Sequence, residues 1–109
     1  MIFTTTNTVD GYEITKYLRI IAGETVIGIN MLKDFGASIR NITGGRASGY
    51  ESEAIKAREA ALDELWRRGQ ELGADGVVGI AFDYSPMGTN NDMLLVTATG
   101  TAVSLRARD

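Results

Sequence analysis

The residues of this chain best suited to chemistry lie between Asn41 and Glu51, in the run N-I-T-G-G-R-A-S-G-Y-E. Gly44-Gly45-Arg46 stands ahead of a segment that reads as a helix. Backbone N–H groups at a helix start lack partners and carry positive partial charge, and the guanidinium of Arg46 would add a fork of donors. Together they could hold a small anion. The run lacks the spacing and the Lys-Ser/Thr pair of a phosphate-binding P-loop, and it follows a helical segment rather than a strand. The alternative is structural: the glycines supply positive φ, and Arg46 pairs with a carboxylate of its own or a neighbouring subunit. The structural role is the stronger reading, because a glycine-rich loop alone specifies little.

Tyr50, Glu51 and Arg58 extend the candidate set into the helix that follows. On a wheel of 100° per residue Glu51 and Arg58 fall on the apolar side. They could act as an acid or base with an electrostatic stabiliser. Charges on a buried face, however, are normally paired. Seven residues of helix put them about 10 Å apart along the axis, so a direct pair is strained. Arg46 is the natural partner for Glu51, and Asp83 or a neighbouring subunit for Arg58. No nucleophile or second base shares the spacing, so structural ion pairing outweighs catalysis. The candidate ligand-binding residues are Gly44, Gly45, Arg46, Tyr50, Glu51 and Arg58. No catalytic residue and no metal ligand is assigned.

Two absences narrow the chemistry further. The chain has no cysteine and no histidine, which excludes disulfides, thiolate and imidazole nucleophiles, and zinc sites built on those ligands. Only carboxylate, lysine, tyrosine or hydroxyl chemistry would be left to an enzyme. Fourteen acidic residues against 11 basic ones give a formal charge of −3. The bases are scattered apart from Arg67-Arg68 and Arg106/Arg108, so no stripe tracks a phosphate backbone and nucleic acid is not an expected partner. The N-terminus lacks the pattern of a signal peptide, and no apolar run reaches the length of a membrane span. A soluble cytoplasmic protein forming one domain over residues 1–109 is the expectation.

The elements that would position these residues follow from hydrophobic periodicity. A short strand is expected at the N-terminal T-T-T. Tyr12 to Ile29 alternates as one long bent strand or two shorter ones, with a bulge or tight turn at Gly23-Glu24. Asn30 caps a first helix to about Ile42, apolar at Met31, Leu32, Phe35, Ile39 and Ile42. A second helix runs from Ser48–Tyr50 to Leu72, capped by Gly73. Its apolar stripe reads Ala54, Ile55, Ala61, Leu62, Leu65, Trp66, Gly69 and Leu72. Gly76 to Ser85 is a strand with Val78, Ile80, Phe82 and Tyr84 on one face. Met93 to Arg106 is another, whose small face (Val96, Ala98, Gly100, Ala102) suits close helix packing. Its Thr97/Thr99/Thr101 row suits a cross-strand hydroxyl ladder. The tyrosines Tyr12, Tyr17, Tyr50 and Tyr84 are too dispersed for a stacking platform, and Asn90-Asn91-Asp92 reads as a polar turn. The fold class is α+β, strand-helix-helix-strand-strand, with a mostly antiparallel sheet and two helices on one face.

Several blocks together carry a resemblance: G-E-T-V-I-G-I-N at 23–30, I-R-N-I-T-G-G-R at 39–46, Y-E at 50–51, A-R-E-A-A-L at 57–62, L-G-A-D-G-V-V-G at 72–79 and M-L-L-V-T-A-T-G-T-A-V at 93–103. Over nearly its whole length the chain resembles the YbjQ family. The resemblance implies a dodecin-like subunit that closes into a ring, a homopentamer, with extra short strands helping to join subunits. The family is biochemically uncharacterised and carries a heavy-metal-binding label. Soft metals favour thiolate and thioether ligands, and borderline ones imidazole. Here only Met87 and Met93 remain as a plausible pair, so the composition speaks against that label. The leading expectation is a non-enzymatic, ring-forming domain, with a polar joint at the helix start near a subunit interface and no cofactor. The alternative is a protein that binds a small anion or a metal ion through the 44–51 loop.

Overall fold

Strands dominate wherever β-branched residues alternate with small ones. The computed structural model describes residues 1–28, 48–89 and 93–109. The described elements are β1 (Ile2–Phe3), β2 (Tyr12–Gly28), α1 (Ser48–Glu71), β3 (Gly76–Met87) and β4 (Met93–Ala107). The four strands form one sheet in the order β1-β3-β4-β2. β1 runs parallel to β3, and the other two pairs are antiparallel. The class is therefore α+β with a mixed sheet. The expected helix from Asn30 to Ile42 lies outside the described residues, and so does the Asn90-Asn91-Asp92 turn.

Helix α1 lies mainly against β2 and β4, and small residues set how close it comes. Val96, Ala98 and Ala102 of β4 are fully buried beneath it together with Ala61 and Leu65 of the helix. On β2 the contact falls at Gly23. A Cβ there would lie 2.5 Å from the Leu65 backbone nitrogen and would also collide with the Ala61 carbonyl oxygen. Helix backbone thus rests directly on strand backbone, which only glycine allows. The bulge expected at Gly23-Glu24 does not occur: the strand keeps its register there, Gly23 opposite Ala98 and Glu24 opposite Thr97. The irregularities fall earlier, between Ile14 and Lys16 and between Tyr17 and Arg19.

The same closeness shifts the helix stripe. The buried line runs through Ala57, Ala61 and Leu65, whereas Ile55, Trp66 and Leu72 are exposed. Leu65 is the one large side chain of this line that is fully buried; Ile55, Trp66 and Leu72 stand at the flanks of a helix this near the sheet. Trp66 packs against Phe3 with ring centroids 4.9 Å apart at 54°. The C-terminal cap forms as expected. Gly73 has φ 68°, its N–H donates to Gln70 (2.9 Å), and the Ala74 N–H donates to Gly69 (3.1 Å). These are the two bonds of a Schellman cap.

Three strand expectations are corrected. Gly79 takes φ 64° and the register with β4 jumps between Val78 and Ala81. This bulge turns Val78 to the face opposite Ile80 and Phe82, because one extra residue reverses the alternation. The Thr97/Thr99/Thr101 row faces away from α1, but it builds no hydroxyl ladder. Its cross-strand neighbours are Glu24, Ala22 and Ile20 on β2, and Asp83, Ala81 and Val78 on β3. The N-terminal threonines form a bend rather than a strand. The Thr4 and Thr6 hydroxyls bond each other at 2.6 Å, and Thr6 Oγ1 donates to the Thr8 carbonyl at 2.6 Å. Such local bonds compete with ladder formation.

Gly23→Ala should therefore be among the most damaging single-methyl additions. It should cost about 1–3 kcal/mol in urea unfolding through overpacking. A loss within about 0.5 kcal/mol, the range of ordinary surface changes, would show that α1 does not sit this close.

Candidate functional site

The first candidate is the start of α1. The helix begins at Ser48, so Gly44-Gly45-Arg46 precedes it directly in sequence, but these three residues lie outside the described ones. Tyr50 and Glu51 occupy its first turn, and their side chains also lie outside what is described. Arg58 is half-buried, two turns further on, among Ala54, Ala57, Ala61 and Leu62 at helical spacing. The suggested partner Asp83 does not serve it. Asp83 belongs to the Thr97 row on the far face of the sheet, where it accepts the Ser85 hydroxyl at 2.9 Å. Tyr12, Tyr17 and Tyr84, all exposed, occupy separate positions on β2 and β3 and form no platform.

The second candidate was not legible as a site in the sequence. Where the C-terminal half of α1 passes the outer edge of β2, a cleft of about 330 Å³ is lined by Arg19, Ile20, Ile21, Ala22, Arg68, Glu71 and Leu72. Arg68 controls it. Its guanidinium donates to the Ala22 carbonyl oxygen on the edge of β2, and meets Glu24 at 3.2 Å and Glu64 at 3.5 Å. A carbonyl bonded to a side chain in this way is one that β4 does not use. Strand parity then turns the backbone groups of Ile20, Glu24 and Val26 toward the same open side. A mid-strand glutamate ahead of a helical double arginine was the available signal, but its meaning depends on the helix passing at this point.

Nearby charges are paired along the surface. Glu13 accepts from Arg106 at 2.6 Å, and that bond holds its carboxyl below the ordinary value. Glu64 is lowered in the same direction by its bond from Arg67, which also reaches Glu71 at 3.1 Å. Each bond favours the ionised form. The stability these pairs contribute is complete above pH about 4.5, the unperturbed value, and is lost as pH falls through the lowered values.

The donor set does not suit a heavy metal. Met87 and Met93 are cross-strand partners at the β3–β4 hairpin, so their thioethers share one face. Among the described residues no group of three or more acidic side chains gathers to complete a site. Two thioethers fall short of the coordination that soft metals require. No helix among the described residues is long and apolar enough to cross a membrane.

Arg68→Ala should cost about 1–2 kcal/mol in urea unfolding, since a charge-assisted bond and an ion pair are lost together. Arg68→Lys should recover only part, because an ammonium cannot reach the carbonyl and the carboxylate with one planar fork. Full recovery with lysine would reduce the contact to simple charge. The Glu13→Gln/Glu64→Gln variant should flatten the acid limb of melting temperature against pH, and an unchanged limb would contradict the pairing.

Comparison with known proteins agrees with this architecture. A family model described as "Putative heavy-metal-binding", that of the YbjQ family, matches residues 1–106. A UPF0145 protein of Corynebacterium jeikeium is 57% identical over 106 residues, covering 97% of this chain and 100% of its own length. One from Bifidobacterium longum subsp. infantis is 51% identical over 108 residues, covering 99% and 98%. One from Listeria monocytogenes is 47% identical over 109 residues, covering 100% and 99%. The fold is similar to the crystal structure of a DUF74-family protein of unknown function from Pediococcus pentosaceus. That match has a TM-score of 0.68 at 17% identity and covers 97% of this chain and 98% of the other. The chain belongs to the YbjQ family.

Proposed function

We propose that this protein is a non-catalytic assembly module, a cytoplasmic subunit of a homo-oligomeric ring and by family resemblance a pentamer. The observation that carries this reading is the exposure along β2. Ile20 is 79% exposed, Tyr17 69% and Val26 51%. All three lie on a 17-residue strand that, among the described residues, is paired on one side only. An isolated exposed apolar residue means little, but several on a long edge strand mark a surface that becomes covered. In this reading the Gly44-Gly45-Arg46 and Tyr50-Glu51 joint orients the start of α1 near a subunit boundary, and Arg58 finds its carboxylate there. Among the described residues no donor set supports a metal role, and no nucleophile and base converge to support catalysis.

Light scattering behind size exclusion tests the reading. A single species several times the 11.7 kDa chain mass is expected at micromolar concentration, and native mass spectrometry should give five copies. A monomer at that concentration would overturn it. If the 44–51 loop is instead an anion site, inorganic phosphate should raise the melting temperature of the wild type but not of Arg46→Ala.

A further inference from the structure

Two irregularities in β2 sort its charges. Ile14 stands opposite Leu105 and Lys16 opposite Ser104, while Tyr17 stands opposite Val103 and Arg19 opposite Ala102. Thr15 and Leu18 are therefore each passed over in the pairing. Strict alternation would put Glu13 and Lys16 on opposite faces. Each extra residue reverses the parity once, so Glu13, Lys16 and Arg19 all come to the face shared by Arg106, Ser104 and Ala102. Ile14, Tyr17 and Ile20 take the other face, with Leu105, Val103 and Thr101. Thr15 Oγ1 donates to the Ser104 carbonyl at 3.3 Å, and Leu18 packs against the core. Bases that lie apart in the sequence are thus gathered into one row across two strands.

The row is open, and the acids beside it are engaged elsewhere. Lys16, Arg19 and Arg106 are all exposed. Glu13 is held by Arg106 at 2.6 Å, and Glu71, which lines the cleft with Arg19, is held by Arg67 at 3.1 Å. Among the described residues neither Lys16 nor Arg19 meets a carboxylate within ion-pair distance. Arg108 and Asp109, of opposite sign, stand together beyond Arg106. Opposite Ala102, opposite Ser104 and at Arg106 itself, the three bases occupy successive same-face steps along β4. Each step is two residues, about 7 Å.

We propose that this row docks an extended acidic segment of a partner protein, one with carboxylates at alternate residues. Same-side side chains of an extended chain recur at the same interval of about 7 Å, so successive acids meet successive bases. Charge complementarity then selects both partner and register. Single-stranded nucleic acid fits the row less well. Tyr12 and Tyr17 lie on the opposite face and β4 carries no aromatic residue, so neither strand offers a base a stacking partner beside the row. Glu13 also stands within the row, where it would face a phosphate backbone. The site belongs to a single copy of the chain and does not rest on assembly.

Fluorescence anisotropy with a short labelled peptide of alternating glutamate and threonine tests this at low salt. The wild type should bind it saturably. Lys16→Gln/Arg19→Gln, which changes two exposed side chains, should weaken binding by about tenfold or more with an unchanged melting temperature. A peptide of the same composition with its glutamates in one block should bind several-fold more weakly. Raising the salt should release the wild-type complex, because the contacts are exposed charges; this arm depends on no variant. Absence of saturable binding, equal binding by the double variant, or equal binding of the blocked peptide would overturn the proposal. Tighter binding of an oligouridine of the same length would overturn it in favour of nucleic acid.

Discussion

The backbone of α1 rests on the backbone of β2 at Gly23, and the rest of the structure is arranged around that contact. A helix normally packs 8–10 Å from its neighbour through side chains on both partners. Here one partner offers no side chain, and the other offers Ala61 and the Leu65 amide. The close approach fixes which helix residues are buried, which strand residues face them, and how far α1 reaches across the sheet. It also places Arg68 beside the β2 edge, where its guanidinium meets both a carbonyl and Glu24. The cleft and the Arg68 contact beside it are consequences of one missing Cβ.

Much of this fold could be read from the chain. The small face of β4 gave the helix-bearing side because alternation in a strand has a fixed period. The α1 C-terminus followed from Gly73, which alone fits a left-handed cap there without strain. The misreadings share a physical cause. Gly23 and Gly79 look alike as glycines within strands, yet Gly79 makes a bulge with positive φ and Gly23 makes room for a helix. Local sequence does not separate these uses, because the deciding atoms belong to residues some forty positions away. The same limit applied to α1, where hydrophobicity favoured Ile55 and Trp66 but clearance favoured Ala57.

The candidate site was less legible than the fold. The 41–51 run draws attention through composition, and its Arg58–Asp83 suggestion failed because the sheet stands between the two residues. The β2 edge cleft draws none, since its parts are an unremarkable strand and an arginine, Arg68, that reads as helix surface. What makes it a surface of interest is the sheet order, which among the described residues leaves β2 outermost. Edges are properties of topology, and topology emerges only when β4 has been placed between β2 and β3.

The central claim is that the exposed β2 surface at Tyr17, Ile20 and Val26 becomes covered when copies of the chain assemble. Hydrogen–deuterium exchange of the intact wild-type chain over a range of concentrations addresses it directly. The account predicts slow exchange at the outward amides of residues 20–26 at micromolar concentration, with that protection lost on dilution. Fast exchange there at every concentration, with the helix-covered strand interior protected as usual, would contradict it.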